Sequence, residues 1–154
     1  MLGKILSGAV IAACLALPAL AQSTVRPVIF AAGSTGTAVT GRITGHDTAD
    51  FTLLAEAGQH MTIRMNTDSS SAYFNIYAPG TTPETAAAIF TGSSQGLLAE
   101  LTLPASGTYL IRAYQMASAA AENRTAQFAL TIDIAGRRAQ SGDVAGALNS
   151  EPDF

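Results

Sequence analysis

After residue 36 the chain alternates apolar and polar residues with a period of two, and this alternation restricts the fold more than any other feature. Successive side chains of an extended strand point to opposite faces, so the pattern builds strands with one apolar face. Val39 and Ile43 share a face with Gly41 between them, opposite Thr40, Arg42 and Thr44. Phe51, Leu53 and Ala55 alternate with Thr52, Leu54 and Glu56. Met61, Ile63 and Met65 alternate with Thr62, Arg64 and Asn66. Tyr109 and Ile111 oppose Arg112, and Phe128, Leu130, Ile132 and Ile134 alternate with polar residues from Thr125 to Asp133.

Turn residues punctuate these runs. Gly45-His46-Asp47-Thr48 is a turn, and Ala57-Gly58-Gln59 reads as a tight hairpin connection with Gly58 free to take a positive φ. Pro79-Gly80 stops an aromatic strand over Ala72 to Ala78, and Pro104 to Gly107 is a turn before the strand Thr108 to Tyr114. Ala86 to Phe90 reads as a short strand, Gly92 to Gly96 as a loop and Leu97 to Leu103 as a strand. Gln115 to Arg124 interrupts the alternation. Its Met116-to-Glu122 stretch favours helix but is too short to stand alone, which predicts one turn or an ordered loop. About seven to nine short strands without a long helix predict an all-β, antiparallel β-sandwich with jelly-roll-like architecture.

The first residues bear on the compartment. Lys4 is the only charge before Arg26, Ile5 to Leu17 is apolar, and Pro18 is followed by Ala19-Leu20-Ala21. This order is that of a secretory signal, with cleavage expected between Ala21 and Gln22. The apolar run falls short of the roughly 18 residues that span a bilayer, so stable membrane insertion is not expected. Ile11-Ala12-Ala13-Cys14 offers a rival, a lipoprotein anchored at Cys14, although apolar residues continue past it to a better cleavage site. The chain thus divides into a signal peptide, 1–21, an N-terminal segment, 22–36, a sandwich domain, 37–134, and an aperiodic, flexible tail, 135–154, with the periplasm as destination.

Removal of the signal takes away the only cysteine and the only lysine. Disulfides, thiolate nucleophiles and lysine Schiff bases are then excluded. Seven arginines face eleven acidic residues, a charge of −4. That balance disfavours nucleic acid, where phosphate contacts dominate, and is compatible with a basic protein partner.

Candidate chemistry is sparse. His46, Asp47 and Asp50 supply a nitrogen and two carboxylates, but no further cluster nearby completes a metal shell, and a polar turn accounts for them. His60 begins a strand and is expected to be exposed. No Gly-x-Ser-x-Gly occurs, and Glu56, Glu100 and Asp133 fall on polar faces where carboxylates are ordinarily solvated. Gly33 to Gly36 precedes a strand, unlike a phosphate loop that opens a helix. No catalytic residue, metal or cofactor is therefore assigned, and the chain reads as a binding protein and not an enzyme. Tyr73 and Tyr77, in an aromatic run, are candidates for recognition or for capping the core.

Several segments occur in a familiar order: Gly45-His46-Asp47 with Asp50-Phe51, Ala55 to Gln59, Leu103 to Tyr109 with Arg112, and Asn123, Thr125 and Thr131 to Ile134. From about Thr37 to Ile134 the chain resembles bacterial periplasmic inhibitors of g-type and i-type lysozymes. The Ala-Gly-Gln turn and the Leu-Pro-x-x-Gly-x-Tyr segment are also similar to the pre-peptidase C-terminal domain, a secreted β-sandwich. The resemblance implies competitive occlusion of the cleft of a host lysozyme by the loops Gly45 to Thr48, Gly92 to Gly96 and Gln115 to Arg124. The contact residues it implies are His46, Asp47, Tyr73, Asn75, Ser93, Ser94, Gln95, Tyr114, Met116, Ser118 and Arg124. Two departures stand out. Ala117 and Ala121 occupy positions where g-type inhibitors resemble one another in carrying arginines, and His46 stands where they carry tyrosine. Losing two guanidiniums removes groups suited to cleft carboxylates, which shifts weight toward i-type inhibition or another partner. The alternative expectation is a pre-peptidase-like module that binds glycan or an envelope protein. Nothing in the pattern specifies an oligomeric state.

Overall fold

The computed structural model describes residues 23–136, so the expected signal peptide, Cys14 and the expected tail beyond Gly136 lie outside the described residues. The alternating segments become strands whose apolar sets meet in one core. In chain order the strands are β1 (Ser23–Pro27), β2 (Gly36–Thr44), β3 (Thr48–Ala55), β4 (His60–Thr67), β5 (Ala72–Tyr77), β6 (Phe90–Thr91), β7 (Leu98–Thr102), β8 (Gly107–Gln115) and β9 (Thr125–Ala135). Two single-turn helices, α1 (Gly92–Gln95) and α2 (Ala117–Ala121), interrupt them.

One sheet orders its strands β1-β3-β8-β5-β6, and the other β2-β9-β4-β7. The pairings are antiparallel except that of β1 with β3. The two sheets form a β-sandwich. Phe51, Leu53, Phe74, Ile76, Tyr109 and Ile111 from the first pack with Ile43, Met61, Ile63, Leu130, Ile132 and Ile134 from the second. Phe51 meets Phe128 edge-on across the core, with ring centroids 6.1 Å apart. Burying these apolar faces is the dominant stabilising term, at about 25 cal/mol per Å² removed from water.

Four sequence expectations change. The Ala57-to-Gln59 connection is not a hairpin, because β3 and β4 belong to different sheets. It is a corner between sheets, stitched to the end of β7: Gly58 N donates to Leu103 O, and Leu103 N donates to Gln59 O, each at 2.8 Å. Gln59 folds back so that its Oε1 accepts from Glu56 N at 2.8 Å. Gly58 does take a positive φ, 82°. The strand expected over Ala86 to Phe90 shrinks to Phe90–Thr91, since residues 83–85 form a turn in which Thr85 N and Ala86 N donate to Thr82 O. The loop Gly92 to Gly96 contains α1. The segment 22–36 contributes β1, which joins the sheet edge in parallel, pairing Ser23 with Thr48 through Pro27 with Thr52.

Candidate functional site

Strand register gathers three connections at one end of the sandwich. Thr44 at the end of β2 pairs with Thr125 at the start of β9, while Ala72 at the start of β5 pairs with Gln115 at the end of β8. β3 starts there as well, with Ala49 opposite Ala113. The turn 45–47, the loop 68–71 and the α2 segment 116–124 therefore share that end. They are tied together: Gly45 N donates to Arg124 O at 2.9 Å, and Met116 N donates to Ser71 O at 2.8 Å. Gly45 has φ 57°, and a Cβ there would come within 2.6 Å of Asn123 Oδ1. Only glycine suits such a left-handed, crowded position.

The α1 turn joins the same end. Thr91 pairs with Asn75, and the chain then runs on past Phe74 toward Ala72. Gly92 lies so close to β5 that a Cβ would sit 2.5 Å from Phe74 O. Gly92 N donates to Asn75 Oδ1 at 3.2 Å, Thr91 N donates to Gln95 Oε1 at 2.8 Å, and Ser94 Oγ donates to Thr91 O at 3.1 Å. These bonds tie down the α1 turn, on which Ser93, Ser94 and Gln95 are exposed.

The α2 turn roots itself through buried Ala119 and Ala120 and exposes Met116, Ala117, Ser118 and Ala121. Beneath it, Gln115 is 7% exposed. Its Nε2 donates to Arg124 O at 2.7 Å, while its Oε1 has no hydrogen-bond partner among the described residues. Arg124 Nε lies 2.6 Å from Glu122 Oε2, an exposed ion pair of small energetic weight.

The outer face of the first sheet runs up to these loops. Tyr73 lies opposite Tyr114 with ring centroids 6.5 Å apart, and Tyr73 OH donates to Ser70 O at 3.1 Å. The next row holds Asp50, Arg112 and Asn75 side by side. Asp50 is only 3% exposed. Arg112 grips it with two bonds, Nε to Oδ1 at 2.8 Å and Nη2 to Oδ2 at 2.7 Å, and Ser23 Oγ adds a third at 2.9 Å. Asp50 thus faces Arg112 and does not join His46 and Asp47 in a metal-like group. Its hydrogen bond raises the Arg112 pKa above the usual guanidinium value against the opposing cost of burial. Exposed Glu84 lies 3.8 Å from Arg112, and its carboxyl is held below the ordinary range, mainly by its hydrogen bond with Thr82.

Every contact residue expected from the sequence falls at this end or on the face leading to it. His46 is exposed in the 45–47 turn, and Asp47 is half-buried, with its backbone N donating to Thr44 O at 3.0 Å. Asn75 plays an internal part: besides receiving Gly92 N, its Nδ2 donates to Tyr77 OH at 3.4 Å. Tyr77 is buried and Tyr73 half-buried, both on the outer face of β5 with Asn75 between them. Sequence reasoning missed Gln115 and the Asp50–Arg112 pair; a polar residue at the inward position of β8 and opposite charges on two outward faces were the available signals. A shallow groove of about 700 Å³ lies beside this end, lined by Thr40, Arg42, Asn66, Asp68 and Gln127 among others. Its one carboxylate, Asp68, accepts Gln127 N through Oδ1 at 2.8 Å.

Solved structures share this fold. Aeromonas hydrophila PliG, a periplasmic lysozyme inhibitor of g-type lysozyme, is 40% identical with a TM-score of 0.70, over 75% of this chain and 99% of its own. The chain belongs to the family of periplasmic g-type lysozyme inhibitors. A PliG mutant from Escherichia coli is 25% identical with a TM-score of 0.56, covering 74% of this chain and 99% of its own. The pre-peptidase C-terminal domain of a Bacillus anthracis collagenase shares the fold at 13% identity and a TM-score of 0.51, over 75% of this chain and all of its own. No family model and no curated protein matches the chain. Ala117 and Ala121 therefore occur within the g-type inhibitor family and do not move the chain out of it.

Proposed function

We propose that this protein inhibits g-type lysozyme in the periplasm by seating the loop end of the sandwich in the enzyme's cleft. The observation that carries the reading is the 40% identity to a g-type lysozyme inhibitor across 99% of that inhibitor's length. The contact surface comprises the 45–47 turn, α1 and the α2 segment, with His46, Ser94 and Ser118 exposed on them. Cross-bonds between these loops lower the ordering cost of binding, because a preorganised surface loses less conformational entropy on association. No bond need be made or broken; exclusion of the cell-wall strand from the cleft suffices. Export would follow from the signal at 1–21, cut after Ala21. A lysis assay tests the proposal: purified protein should protect bacterial cell walls from goose-type lysozyme in a dose-dependent way, with hen-type and invertebrate-type lysis unchanged. Undiminished goose-type lysis at a large molar excess would refute it. The intact mass of the exported protein checks the cleavage site against lipidation at Cys14.

A further inference from the structure

We infer that the lysozyme is gripped chiefly through an uncharged patch of Tyr73, Tyr114 and Met116, an inference that rests on the inhibitory reading above. Three outward positions follow one another along β8 as it leaves the sheet. Arg112 is tied to Asp50, Tyr114 lies against Tyr73, and Met116 comes next, its N donating to Ser71 O. The aromatic pair and the methionine are therefore neighbours at the edge where the sheet face meets the loop end.

Met116 is 41% exposed, a large apolar side chain open to solvent at this end. Its backbone is held on both sides, by Ser71 O and by Ala120 N donating to Met116 O at 3.0 Å. A pinned backbone carrying a flexible, polarisable side chain suits an anchor that fills an irregular apolar hollow. The adjoining Ala117 and Ala121 are exposed and too small to screen it. The guanidiniums beside the patch are engaged within the chain, Arg112 with Asp50 and Arg124 with Glu122. Tyrosine and methionine are enriched at the centres of protein interfaces, where a few contacts dominate binding.

An apolar grip differs measurably from one based on ion pairs, because exposed charge pairs weaken as salt screens them. Calorimetric titration of goose-type lysozyme with the wild-type protein should give a Kd that changes less than about threefold between about 50 mM and about 500 mM salt. Met116→Asp and Tyr114→Ser should each weaken binding by at least about tenfold, whereas Thr131→Ala on the opposite sheet should not. Circular dichroism melting confirms that each variant is folded, and Met116→Ala, which introduces no charge, gives the reading if Met116→Asp melts early. Tight wild-type binding that survives these substitutions, or that collapses with salt, overturns the inference and leaves the inhibitory function standing. No wild-type binding at all overturns both.

Discussion

Replacing Arg112 by leucine tests the most concentrated electrostatic feature of the fold. The substitution removes two short charge-assisted bonds and leaves the Ser23 Oγ donor to a carboxylate that is 3% exposed. Removing one partner of a buried ion pair costs about 3–5 kcal/mol, because the remaining charge stays desolvated. The Arg112 side chain is itself 22% exposed, so water enters more readily than at a fully enclosed pair, and about 3 kcal/mol is expected. For a domain of this size that corresponds to a fall in melting temperature of roughly 10–15 °C. Urea titration followed by far-ultraviolet circular dichroism measures it. A double-mutant cycle with Asp50→Ala isolates the coupling, expected at about 2 kcal/mol, since Asp50→Ala also removes the stranded charge. A loss below about 1 kcal/mol in Arg112→Leu, the range of an exposed pair, would refute the reasoning.

Two further substitutions probe the loops. Gly92→Ala should cost about 1–3 kcal/mol and loosen α1, since the added methyl meets the Phe74 backbone at 2.5 Å; thermal melting and lysozyme binding report the two effects. Gln115→Leu should cost only about 1 kcal/mol, because it removes an acceptor without a partner along with the bond to Arg124 O. Gln115→Glu should cost clearly more, about 3 kcal/mol, because it buries a carboxylate and removes the donor to that carbonyl; equal melting temperatures for the two variants would contradict this account.

The sandwich was legible in the strands because alternation is written residue by residue. Met61, Ile63 and Met65 are buried and Arg64 is exposed, as the period of two requires. The candidate contact loops were legible as breaks in that pattern, with the family resemblance naming their residues. Other features depended on distant partners. Asp50 sits at an outward position between Ala49 and Phe51, where a carboxylate is ordinarily solvated, and Arg112, 62 residues later, with Ser23 makes its burial tolerable. β1 has no alternation to announce it, since its five residues include Arg26 and Pro27, and it exists by pairing with β3.

The amino-acid order by itself determined which segments are extended, which face of each is apolar and where the chain turns, because these follow from local backbone geometry and side-chain type. Tertiary structure alone decided that residues 56–59 turn a corner between sheets, that α1 is pressed onto Phe74, and that Tyr73 lies against Tyr114. Such choices compare the free energies of alternative strand pairings across the whole molecule, and a local pattern compatible with several pairings cannot rank them.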